Sequence, residues 1–174
     1  PFAGLDVDAQ ELQAFLDQVP FAQGPDRRRE AAKVLVPESL PCPKSDKPVS
    51  TQEAFGRILF DIAGQDNDFA HRIVTTSPDV TVSTNLGGWV NRRGIFDRHR
   101  REDIFREEKV VSAQRWAMHP DGQHVELGIA ENNLFLTLAA LGLSHSLFGE
   151  RLLPIGTLYD PFVNRGLDAL NYAC

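Results

Sequence analysis

Four residues have types and positions suited to chemistry: Asp79, Glu131, Tyr159 and Phe162. Glu131 follows Gly128-Ile129-Ala130 and opens a strongly apolar run. The positive end of a helix favours a carboxylate there, while burial under Leu134 and Phe135 opposes the same charge. An acid balanced between these influences is suited to exchanging a proton near neutral pH. Position alone also fits an ordinary first-turn acid that completes helix capping, the commoner case. Tyr159 and Phe162 stand three apart and could sandwich a planar ring, although spacing alone favours a core role for them. Asp79, just after Pro78, either faces a ligand or caps a turn.

These residues need strands that end beneath them. Ser50 and Glu53 are spaced as a capping box, and Phe55, Ile58, Leu59 and Ile62 then fall on one helix face that Gly64 ends. Residues 72–76 are a β-branched run that stops at Ser77-Pro78, a predicted strand. Residues 79–122 read as loop-rich, with turn signals at Asn85, Gly87-Gly88 and Pro120-Asp121-Gly122. A strand over 124–129, a helix over 134–143 that is apolar nearly all round and therefore buried, and a strand over 152–159 follow. Asp160 then caps a last helix with Pro161 at its first position. This order predicts parallel strands with right-handed crossovers, a doubly wound α/β domain with helices on both faces. Ligands of such sheets meet the carboxyl ends of the strands, where Asp79, Glu131 and Tyr159 emerge.

The chain is 174 residues with 42% apolar and 24% charged side chains, the composition of a soluble globular protein. No run reaches the ~20 apolar residues of a membrane span, and the first residues lack the pattern of a signal peptide. Cys42 and Cys174 make neither a disulfide framework nor a metal motif, so a reducing cytoplasm is expected. A net charge of −6 argues against a dedicated nucleic-acid binder.

Residues 1–49 read as a linker with short helices, and residues 50–174 as the folded part. Asp8 and Glu11 are spaced to cap a helix with Leu12, Phe15, Leu16 and Val19 on one face, stopped by Pro20. A second short helix is expected from Pro25-Asp26 through Leu35, and Pro37, Pro41, Pro43 and Pro48 predict an extended strap. The chain starts at Pro1, has its only methionine at Met118, and stops at Cys174 inside a helix-like run. It reads as the middle of a longer polypeptide.

The string Gly122-Gln123-His124-Val125-Glu126-Leu127-Gly128-Ile129-Ala130-Glu131-Asn132 resembles a segment of thiamine diphosphate enzymes. The nearest likeness is to the homodimeric pyruvate dehydrogenase E1 component, and then to transketolase. Ser50-Thr51 with Ala54-Phe55 and Arg57 resembles the helix that opens their pyrimidine-binding domain. Ile73-Val74 to Asp79, Gly88-Trp89 and Gly94-Ile95-Phe96 resemble the strand and loop that follow, and residues 153–162 resemble the aromatic strand–helix junction. The likeness covers roughly residues 50–174 and implies the first part of a pyrimidine-binding domain, incomplete at its C-terminal end.

The resemblance implies thiamine diphosphate as cofactor. Glu131 would then hydrogen-bond N1′ of the aminopyrimidine and favour the tautomer that generates the reactive ylid, and the ylid attacks a 2-oxo acid such as pyruvate. Tyr159 and Phe162 would pack on the aminopyrimidine, with Asp79 near the cofactor. Val80 stands where E1 components often carry a second acid, and residues 77–84 lean toward transketolase. The family's GDG motif for Mg2+ and diphosphate is missing, and its later active-site histidine would fall beyond Cys174. The resemblance therefore places the Mg2+ ligands in another domain. It implies a homodimer or a complementary diphosphate-domain fragment, a dihydrolipoyl acyltransferase core as a further partner, and an isolated chain that is inactive. A transketolase-type ketol transferase and a non-catalytic α/β binding module are the alternatives.

Other features are expected to be structural. His71, His99, His119, His124 and His145 lack metal-ligand spacing and read as surface or loop residues. The run 92–109 interleaves seven bases with five acids, which suggests a solvated, salt-bridged segment. Gly87-Gly88 is too short for a phosphate loop. Strand alternation puts Glu126 opposite Val125, Leu127 and Ile129, the place of a buried structural acid.

Overall fold

A computed structural model of the chain describes residue 4 and residues 8–19, 28–101, 107–111 and 115–173. Helix α1 spans Ala9–Gln18, α2 Thr51–Ala63 and α3 Asp68–Arg72, which leads into strand β1, Ile73–Ser77. Helix α4 (Gly87–Arg93), β2 (Ile95–Phe96), β3 (Met118–His119) and β4 (His124–Glu126) come next. Then follow α5 (Glu131–Gly142), α6 (Ser144–Leu147), β5 (Leu153–Gly156), a 3-10 helix (Asp160–Gly166) and α7 (Leu167–Ala173).

The five strands form one sheet in the order β3-β2-β4-β1-β5, and every ladder between them is parallel. The expected α/β class is therefore the observed one. Strand β1 is central: Thr75 aligns with His124 of β4 on one side and with Ile155 of β5 on the other. Side chains alternate across β1. Ile73 faces a core of Leu59, Ile62, Trp89, Val90 and Ile95 from α2, α4 and β2. On the opposite face Gly156 lies under Leu134 and Leu138 of α5. Strand β1 thus leads through α4 on one face to β2, while β4 leads through α5 on the other face to β5. Connections leave the adjacent ends of β1 and β4 in opposite directions, which opens a crevice there.

Helix α2 begins as its spacing predicts. Ser50 Oγ accepts the Glu53 N–H at 3.1 Å, and Leu59 and Ile62 are buried. Gly56 faces the carbonyl of Asn85, where any Cβ would collide with backbone. Phe55, expected in the core, is 38% exposed: it shares the face of Leu59 and Ile62 but lies a turn earlier, toward the start of the helix.

Several boundaries differ from expectation for physical reasons. Residues 28–35 are not helical: Leu35 and Val36 are exposed, so no apolar face rewards a helix, and the Arg29 N–H goes instead to the Ser146 carbonyl. Residues 25–27 of that expected helix lie outside the described residues. Asp8 stands at the start of α1 without a side-chain cap bond. Gly87-Gly88 open α4 rather than a turn, since Trp89 and Val90 carry enough buried apolar surface to hold a seven-residue helix. The turn signals at Asn85, with φ 60°, and at Gly122, whose N–H reaches the His119 carbonyl, are realised.

The strands expected over 124–129 and 152–159 shorten to His124–Glu126 and Leu153–Gly156. Gly128, with φ 66°, turns the chain out of the ladder after β4. Asp160 sits in the first turn of the 3-10 helix, and Tyr159 is the capping residue because its carbonyl accepts the Phe162 N–H. Helix α5 is buried on one side only: Glu131, Leu134 and Phe135 are inside, whereas Leu136 is 47% exposed.

Candidate functional site

The parallel register brings the carboxyl ends of β1, β4 and β5 to one edge of the sheet, since Ser77 aligns with Glu126 and Thr76 with Gly156. Asp79, Glu131 and Tyr159 all leave that edge. The structure places each as follows.

Glu131 is the first residue of α5 and is 8% exposed. Its Oε1 accepts a hydrogen bond from Arg165 Nη1 at 2.8 Å. A buried carboxylate is stable only when paired, and at a helix start it gains further from the dipole. Arg165 also lies over the Phe162 ring, 4.1 Å from its centroid. Phe162 in turn meets Tyr159 with ring centroids 6.0 Å apart and planes tilted by 59°. One continuous contact path therefore runs from carboxylate through guanidinium to two aromatic rings.

A cavity of about 390 Å³ beside the aromatic pair is lined by Gln52, Leu158, Tyr159, Asp160, Pro161 and Phe162. Glu131 is not in its wall; Arg165, which touches Phe162, connects the acid to the ring that lines the cavity. A broader apolar trough of about 540 Å³ runs along the outer face of α5 past Leu136, Ala140, Phe148 and Leu152.

Asp79 is exposed and holds a left-handed backbone with φ 59°. Its N–H donates to Glu126 Oε1 at 2.8 Å, and the Leu127 N–H reaches the same oxygen at 3.1 Å. Glu126 Oε2 accepts from Thr81 Oγ1 at 2.6 Å. Thr81 is a hub, also 2.7 Å from Ser77 Oγ and 2.9 Å from His124 Nε2. His124 Nδ1 lies 2.8 Å from Thr75 Oγ1. One proton assignment satisfies the set: Thr81 donates to Glu126 and accepts from Ser77 and from His124 Nε2–H, while Thr75 donates to Nδ1. Burial raises the pKa of Glu126, but the His124 and Thr81 contacts and the Asp79 N–H outweigh it and hold the carboxyl at about 2.

This network closes the crevice between β1 and β4. His124 is fully buried, contrary to the surface or loop position expected for it. Alternation in β4 puts it on the side of Thr75 and Ser77, and that pattern could have identified it. Glu126 takes the structural part expected of it, although its side chain remains 30% exposed. Arg165 was not foreseen; its place three residues after Phe162 on a helical turn is the available signal.

In the basic run, Arg93 is drawn into the fold: Nη2 reaches the Gln65 carbonyl at 2.5 Å and Nη1 meets Gln123 Oε1 at 3.2 Å. Burial lowers its pKa, against the influence of Asp66. Residues 102–106 of the run lie outside the described residues. Among the described residues, no group of three or more His, Cys, Asp or Glu could hold a metal ion, and no helix is long and apolar enough to cross a membrane.

No protein-family model matches the chain, and no curated protein matches it significantly.

Proposed function

We propose that the chain forms the aminopyrimidine-binding part of a thiamine diphosphate-dependent 2-oxo acid dehydrogenase, acting on pyruvate as an E1 component. One observation carries this reading: a buried carboxylate, Glu131, emerges at the head of α5 on the same sheet edge as the Tyr159–Phe162 ring pair, and Arg165 links the two. A planar, nitrogen-bearing ring needs this kind of site, with an aromatic wall and a fixed acceptor for a ring N–H. What supports the reading is that the aromatic pair lines the cavity and that Arg165, stacked on Phe162, engages only Oε1 of Glu131, with Oε2 remaining as an acceptor although the acid is not itself in the cavity wall.

Phe162 and Tyr159 would hold the aminopyrimidine, and Glu131 would accept a hydrogen bond at its ring nitrogen. Thiamine diphosphate supplies an acidic ring carbon and an electron sink for decarboxylation. The protein's task would be to keep a carboxylate dry and aimed, and burial at the start of α5 and pairing to Arg165 support that role. Asp79, whose backbone N–H is held by Glu126 at the neighbouring strand end, would lie near the cofactor. Mg2+ and the diphosphate would be held by a further domain from a second subunit or a complementary fragment. A dihydrolipoyl acyltransferase core is the acceptor for the acyl product of such an enzyme, and the cytoplasm is the proposed location.

The test is pyruvate-dependent reduction of a dye by the full-length protein with thiamine diphosphate and Mg2+. Glu131→Gln should lower turnover by roughly 10²- to 10⁴-fold with the circular dichroism unchanged. Near-normal turnover in that variant sinks the assignment. Activity confined to sugar-phosphate ketol donors makes the protein a ketol transferase instead.

A further inference from the structure

We infer that Arg165 is the positioning residue for Glu131, fixing the orientation its carboxylate presents to a bound ring. The inference rests on the reading of Glu131 proposed above. Arg165 makes two contacts at once: Nη1 donates to Glu131 Oε1 at 2.8 Å, and the guanidinium lies 4.1 Å over Phe162. A planar cation is suited to both, since it stacks on an aromatic face while its edge donates to a carboxylate.

The consequences are geometric. Glu131 is 9% exposed at its side chain, so bulk water does not hold the carboxylate in one orientation. Rotation about its last torsion is broad and roughly two-fold for a free carboxylate. The bond from Arg165 restricts that rotation, engaging one of the two equivalent oxygens and leaving the other for the ligand. The stack on Phe162 then sets the distance between the acid and the aromatic wall. Arg165 itself is 55% exposed at its side chain, so truncating it removes little buried surface, but it leaves the Glu131 carboxylate buried and unpaired; denaturant unfolding of Arg165→Ala is therefore read beside exchange, and Arg165→Lys, which keeps the charge, is the folded comparison.

The test uses the full-length protein with thiamine diphosphate and Mg2+, and reads exchange of the cofactor's thiazolium C2 proton for deuterium by quenched NMR. Arg165→Ala should slow exchange at saturating cofactor by roughly 10- to 100-fold, while the cofactor dissociation constant changes by less than about three-fold. Added guanidinium ion should restore much of the loss, whereas ammonium ion, which lacks the planar shape, should not. Arg165→Lys should behave as an impaired enzyme for the same reason. A purely structural role would leave exchange unresponsive to guanidinium.

Wild-type exchange in Arg165→Ala, or a loss that guanidinium leaves untouched, overturns the positioning role while the thiamine reading stands. A wild-type protein that does not accelerate C2 exchange overturns the thiamine reading and this inference with it.

Discussion

Glu126 at the end of β4 holds the backbone of Asp79 just past the end of β1, through an N–H to Oε1 contact of 2.8 Å. The two residues close the crevice that the opposed crossovers open. Thr81 binds the other carboxylate oxygen, so a single side chain ties down both ends of the segment that carries Asp79. The acid on the strand therefore shapes the loop in front of it, which carries Asp79.

This clamp has a pH signature. The folded-state pKa of Glu126 lies near 2, below its ordinary 4.5, so its contribution to stability is fully present above 4.5 and lost as pH falls through 2. After allowance for its partial exposure, the contribution is about 1–2 kcal/mol. Urea unfolding from pH 6 to pH 2 should show wild type losing that much more stability than Glu126→Gln. Parallel curves for the two proteins would mean that the carboxylate is not clamped.

Asp79 carries a left-handed backbone with φ 59°, which ordinary side chains adopt at a cost. Asp79→Gly should leave stability unchanged or raise it by about 0.5 kcal/mol, because relief at the backbone is partly offset by a more flexible unfolded chain. Asp79→Val should lose about 1–3 kcal/mol at the same position. Denaturant midpoints of the pair check this, and equal midpoints would exclude the left-handed conformation. If the acid also serves the reaction, Asp79→Gly is stable yet poorly active.

His124 is fully buried and bridges Thr75 to Thr81. His124→Ala opens a cavity in the core and removes one hydrogen bond each from Thr75 and Thr81, which keep their contacts to Gln123 and to Glu126 and Ser77, so a loss of about 2–4 kcal/mol is expected. His124→Gln, which keeps a donor and an acceptor, should recover part of it. An alanine variant as stable as wild type would show that the histidine is dispensable to the core.

Strands β1, β4 and β5 were legible because β-branched and apolar runs were separated by strong turn signals, and because a strand–helix–strand–helix order has one usual solution; the two-residue strands β2 and β3 fall within 79–122, which reads as loop-rich, and are too short to leave a pattern. Glu131, Tyr159 and Phe162 were legible for a related reason: they sit where strands give way to helices. The short elements were not. Helix α4 begins with Gly87-Gly88 and survives on the burial of Trp89 and Val90, which only tertiary packing reveals. Residues 28–35 have helix-forming composition but expose Leu35, and they form no helix. His124 was missed because an isolated histidine carries no spacing signal; its partners come from β1 and from the loop after it. Arg165 was missed because its partner is 34 residues away.

Gly166, the last residue of the 3-10 helix, lies close against α5 next to Arg165, which reaches Glu131. A Cβ there would collide with Cδ2 and Cε2 of Phe135 and sit 3.2 Å from the Glu131 carbonyl oxygen. Phe135 is 7% exposed and has little room to retreat. Gly166→Ala should therefore cost about 1–3 kcal/mol by overpacking. It should also push Arg165 away from the carboxylate, so the coupling between Arg165→Ala and Glu131→Gln in a double-mutant cycle should fall to near zero in its background. Gly142→Ala is the control: nothing lies within 4 Å of its Cβ position, and alanine suits the last turn of α5. It should be neutral or stabilising by up to about 1 kcal/mol. Equal melting temperatures for the two alanine variants would mean that α5 and the 3-10 helix are not in close contact at Gly166, and the Arg165–Glu131 pair would then lack the rigid backing assigned to it.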